Sequence, residues 1–125
     1  MAAAAVSRFA SLIGGVHEEA LLDSGFAAIA ERDVRDGQHR AGPDGAYFTT
    51  AFFHHPDELR QEALDAGLSN VEIVAIEGPW SFMPDLLERH DDPVRWAAVL
   101  RAIESIEREP SLMGASRHFI AVGRR

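Results

Sequence analysis

The 125-residue chain has no cysteine. Disulfides, thiolate catalysis and cysteine-ligated zinc are thereby excluded, and the absence fits a reducing cytoplasm. Positive charge is scarce. Twelve Lys and Arg against 20 Asp and Glu give a net charge of -8. Such a surface repels phosphate backbones, so nucleic acid is not an expected partner. Long apolar runs are missing too: no stretch approaches the roughly 18 apolar residues of a membrane span. The opening "MAAAAVSR" carries no basic residue before its small-residue run, and that run breaks at Ser7 and Arg8. A secretory signal needs a basic start and a longer apolar core. The chain therefore reads as cytoplasmic, with no membrane partner. Glycine-rich phosphate or dinucleotide loops (GxGxG, GxGxxG) and the zinc motif HExxH are also absent.

What remains is an ordinary globular balance, 46% apolar and 26% charged. The length suits one domain or part of one, able to bury roughly two thirds of its unfolded surface.

Short apolar runs such as "AAAAVS" (residues 2–7) are compatible with either a helix or a buried strand. Residues 8–22 space Phe9, Leu12, Ile13, Val16, Ala20 and Leu21 as a helix, with Gly14-Gly15 as a candidate break. Residues 23–36 read as a second helix with Ser24 as N-cap and a stripe of Phe26, Ile29, Ala30 and Val34. "GQHRAGPDGA" is a loop. "YFTTAFFHHP" is rich in aromatic and β-branched residues and reads as extended. Pro56 then opens a helix with acids in its first turn and Gly67 at its end. "SNVEIVAIEGPW" is a strand stopped by Gly78-Pro79. Residues 82–108 hold one or two helices, the second opened by Pro93 and striped by Trp96, Val99, Leu100, Ile103 and Ile106. "RHFIAVGRR" closes the chain as a strand. Strands alternating with helices indicate an α/β sheet, yet two or three strands make a narrow one.

Several stretches together carry a resemblance: "AAAAVSRFASL", "DGQHR", "YFTTAFFHHPDELRQEALDAGL", "EIVAIEGPW" and "EREPSLMGASRHFIAVGRR". In order and spacing they resemble the C-terminal half of a class I S-adenosylmethionine-dependent methyltransferase of the bacterial small-molecule type. The resemblance implies a partial Rossmann-like sheet. Residues 1–7 would be similar to strand five, 8–50 a cap insertion, and 56–67 helix E. Residues 70–78 would be similar to strand six, 80–112 a helical insertion, and 117–125 strand seven, which in that family runs antiparallel to its neighbours. The cofactor half of the family's fold, with its Gly-rich loop after strand one, has no counterpart here. The resemblance thus implies a cap-bearing part that binds a small-molecule substrate. S-adenosylmethionine would be the cofactor of a longer parent, with no cofactor site in this chain alone. The alternative is a non-enzymatic module that completes its sheet as a homodimer or with a separate N-terminal half.

Five residues are candidates for the substrate side. Arg8 follows the first strand, either as a surface arginine or helix-start contact, or as a clamp on a substrate carboxylate. His39 and His54 are candidate general bases, set against structural roles. Adjacent His54 and His55 point to opposite faces of an extended segment and cannot readily share a metal. Tyr47, with Phe48, Phe52 and Phe53, either packs the core or walls a pocket for a ring or a sulfonium. Trp80 follows a strand end, where open α/β sheets place ligands.

Overall fold

The computed structural model describes residues Met1–Arg125. Strand β1 (Ala2–Val6) leads into helix α1 (Ala10–His17) and helix α2 (Ser24–Asp36). A two-residue strand β2 (Gln38–His39) pairs antiparallel with β3 (Ala51–Phe52). Helix α3 (Pro56–Asp65), strand β4 (Ser69–Ala75), helices α4 (Leu86–His90) and α5 (Pro93–Ile106), and strand β5 (His118–Arg124) complete the chain.

The main sheet has the order β1-β5-β4. The last strand lies between the first and the fourth and runs antiparallel to both. The molecule is thus a mixed α/β structure around a small sheet. All three strands pair antiparallel, in place of the mainly parallel sheet that alternating strands and helices suggest. The reason is positional: β5 separates β1 from β4, which run in the same direction but never pair with each other.

The alanine run takes the extended option because pairing partners exist for it. Ala5 lies opposite Phe119 and Ala3 opposite Ala121. Burial along β5 alternates, with Phe119, Ala121 and Gly123 inward, as a strand with one packed face requires. That face meets Leu59 and Ala63 of α3 together with Leu68, Val71, Ala75 and Met113 to form the core. A side chain at Gly123 would stand 3.1 Å from the Leu68 Cβ, so glycine is what permits this close approach. The opposite face carries Ala4, Ile120 and Val74 in one row and Ala2, Val122 and Glu72 in the next. It is far less covered: Val122 is 44% exposed and Ile76 just beyond β4 is 43% exposed.

Several local expectations shift. Helix α1 runs unbroken through Gly14-Gly15, because both glycines are buried against aromatic rings. Asp23, not Ser24, caps α2, accepting the Phe26 N–H at 2.8 Å. The extended stretch shrinks to Ala51–Phe52, since Phe48 adopts a left-handed backbone with φ 72°. Strand β4 stops at Ala75, and a 3₁₀ turn covers Gly78–Phe82. Helix α3 has Pro56 at its start, a capping box between His55 and Glu58, and Gly67 beyond its end with φ 86°. Helix α5 is capped by Asp92 through the N–H groups of Val94 and Arg95. None of its 14 residues is fully buried.

Candidate functional site

A cavity of about 420 Å³ opens where β1 and β4 end and β5 begins. Val6 from the end of β1 and Arg117-His118 from the start of β5 form its floor. Helix α1 supplies Ala10, Ser11, Gly14 and Gly15; the helical and loop segments that follow supply Phe26, His39, Tyr47, Phe48 and Phe53. Phe82, from the turn after β4, closes another side. Five of its 14 lining residues are Phe or Tyr, and Glu18, Tyr47, Arg117 and His118 are its charged or titratable members besides His39.

Of the five residues singled out by sequence, His39 and Tyr47 line this cavity. His39 is buried, and both its nitrogens are engaged. Nδ1 lies 2.8 Å from the Asp33 carboxylate, and Nε2 donates to the Tyr47 carbonyl at 2.8 Å. Its ring stacks on Phe53 with centroids 4.4 Å apart. A ring with no free nitrogen does not act as a general base; it fixes the loop that carries Tyr47. Asp33 is fully buried, and its Oδ2 also accepts the Ser11 hydroxyl at 2.5 Å. The triplet therefore fastens α1, α2 and the 38–47 loop together.

Tyr47 presents its ring to the cavity and donates its hydroxyl to Asp23 at 3.0 Å. That bond raises the Tyr47 phenol above its ordinary value, with desolvation adding to it. Asp23 is pushed the other way, first by the Phe26 N–H and then by the Tyr47 hydroxyl.

Arg8, His54 and Trp80 stand outside the cavity lining. Arg8 is buried and directed at Glu58. His54 reaches Glu62 at 3.2 Å, and its backbone brackets Ser7 through Val6 O and Arg8 N–H. Trp80 packs by Gly78, while Phe82, two residues on, is the aromatic ring that reaches the cavity.

Sequence reasoning missed a second polar centre. Glu77, two residues past β4, lies with Oε1 2.6 Å from His118 Nδ1 and accepts the His118 backbone N–H at Oε2, 3.1 Å away. Ser116, buried beside them, accepts the N–H groups of Glu77 and Gly78 and lies 2.7 Å from the His118 carbonyl. Arg117 sits over the Phe82 ring at 4.6 Å. These residues are about 40 positions apart in sequence, so no local spacing signals them.

No protein-family model, curated protein or solved structure matches the chain.

No three His, Asp or Glu side chains converge into a group that could hold a metal ion. No helix is long and apolar enough to cross a membrane. Gly14, Gly15 and Gly42 do not offer S-adenosylmethionine an open cradle. A cofactor cradle needs glycine backbone open to the ligand after a strand. Here the free sides of Gly14 and Gly15 are filled by Phe82, Phe26 and Leu21, and that of Gly42 by the Tyr47 ring.

Proposed function

We propose that this chain is the carboxyl-terminal, substrate-cap part of an S-adenosylmethionine-dependent methyltransferase acting on a small molecule in the cytoplasm. It would be inactive alone, and the cofactor would be held by strands outside it. The observation that carries the reading is the outer edge of β1. That strand pairs only with β5, and Ala2, Ala3 and Ala4 are exposed. Edge strands of finished sheets are protected by lysine, proline, bulges or a covering element. The strand is alanine apart from Val6, whose carbonyl accepts the His54 N–H, so the stretch of edge without a partner is the alanine run. Such an edge suits the addition of another strand. The antiparallel run of β5 beside both neighbours is what the resemblance expects of strand seven, and it supports a partial Rossmann-like sheet. The aromatic cavity at the carboxyl ends of β1 and β4 suits a substrate pocket.

The same bare edge supports a second reading, in which a second copy of the chain supplies the missing strand and the module is not an enzyme. Sequencing the DNA upstream of the Met1 codon separates the two. An open frame encoding a strand, a GxGxG turn and a helix is the expected result. Its absence, with a stable dimer in sedimentation, would favour the second reading.

A further inference from the structure

The aromatic cavity has two histidines, and one of them keeps a ring nitrogen without a protein partner. His118 lines it, and Glu77 Oε1 holds Nδ1 at 2.6 Å. Glu77 is itself fixed by the His118 backbone N–H and the buried Ser116. An ionised carboxylate accepts, so Nδ1 carries a proton, and in the neutral ring Nε2 is the nitrogen with the lone pair. Nε2 has no protein partner. A carboxylate that fixes the tautomer and an exposed second nitrogen are what a general base needs. The contrast with His39, whose nitrogens are both occupied, singles out His118 in this cavity.

The walls indicate what it would act on. Phe26, Tyr47 and Phe48 line it with flat apolar rings beside Phe53, stacked on His39, and Phe82, which carries Arg117, and such a lining favours a planar ring. Glu18 opposes an acid entering the cavity, while Arg117 over Phe82 stabilises an oxyanion that forms inside it. We infer that the cavity binds an aromatic ring bearing an ionisable hydroxyl, and that His118, positioned by Glu77, removes the hydroxyl proton. The O–H bond breaks, its electron pair stays on the oxygen, and the proton forms an N–H bond at Nε2. That this oxygen is a methyl acceptor rests on the methyltransferase reading; the ring site and the proton transfer do not.

The probe is para-nitrophenol, whose phenolate absorbs in the visible and whose neutral form does not. It is titrated with the full chain at a pH where the free probe is mostly neutral, with para-nitroanisole as the ring that has no proton to lose. The expected result is binding of both rings and growth of the phenolate band only with para-nitrophenol. His118→Gln is expected to keep para-nitroanisole binding, which also checks its fold, and to lose the phenolate band. Glu77→Gln is expected to lower the band without abolishing ring binding. Phe48→Ala is expected to weaken both rings roughly three- to tenfold. Failure of both rings to bind the wild-type chain, or an unchanged phenolate band in His118→Gln, overturns the proposal. The assay contains no S-adenosylmethionine. Loss of the methyltransferase reading on other grounds therefore leaves it standing, and its own failure leaves that reading intact.

Discussion

One guanidinium nitrogen of Arg8 lies 2.7 Å from both carboxylate oxygens of Glu58. The pair joins the residue after β1 to the first turn of α3. Glu58 also accepts the His55 N–H at 2.7 Å, closing the helix cap, and Arg8 stands 5.7 Å from the Phe52 ring centre. The nitrogen held this way has a structural duty, tying β1 to α3.

Arg8→Lys is expected to lower stability by about 1 kcal/mol, because the shorter side chain draws its charge away from the partly solvated Glu58 and removes the guanidinium plane near Phe52. Urea unfolding measures it. Affinity of the cavity for para-nitroanisole should stay unchanged; a fall in affinity with unchanged stability would restore a direct binding role.

Asp33→Ala removes the partner of a buried histidine and a buried serine. Losing one member of such a pair costs about 3–5 kcal/mol. The chain should shift strongly in chemical denaturation, and the signals of Tyr47 and Phe48 should broaden in NMR spectra as their loop is released. Unchanged stability would contradict the fastening role.

Phe119 is fully buried at the centre of the sheet, between Ala5 and Ala75. Phe119→Ala should cost about 3–5 kcal/mol, a large part of the roughly 5–15 kcal/mol that stabilises a domain. Circular dichroism melting checks it, and a loss below 1 kcal/mol would show that this face is not the core.

The Asp23–Tyr47 bond sets a pH window. Asp23 titrates below its ordinary 3.8 because the Phe26 N–H and the Tyr47 hydroxyl favour its charged form. Its contribution is therefore present above 3.8 and is lost as pH falls through the depressed folded value. Tyr47 titrates above its ordinary 10.0, chiefly because it donates to Asp23. Its contribution is full below 10.0 and is lost as pH rises through the elevated folded value. Carboxyl NMR and phenol absorbance titrations should show both shifts, and Asp23→Asn should return Tyr47 toward its ordinary value. An Asp23 midpoint at or above 3.8 would refute the arrangement.

Local signals carried some elements well. Pro56, the acids Asp57 and Glu58 and the terminal Gly67 mark α3 from sequence, because caps and turns are short-range chemistry. The fate of "AAAAV" is not local. Alanine favours helix, and only pairing with β5, more than 110 residues away, makes the run a strand. Gly14-Gly15 reads as a break until Phe26 and Phe82 pack on it. Asp33 lies in the mixed-charge run "RDVRDGQHR", yet it falls three and four residues after Ala30 and Ile29 on the buried stripe of α2. A carboxylate in core phase was the available sign that a partner such as His39 lay near. Glu77 and His118 offered no such sign, since only the pairing of β4 with β5 brings them together.

The most direct test of the account is calorimetric titration of the purified, folded chain with S-adenosylmethionine and S-adenosylhomocysteine. The bare β1 edge and the filled glycine faces predict no heat of binding by the chain alone, alongside a folded circular dichroism spectrum. Micromolar binding would contradict this: it would mean that the cofactor site is assembled from this chain's own residues and that the part outside it is not needed.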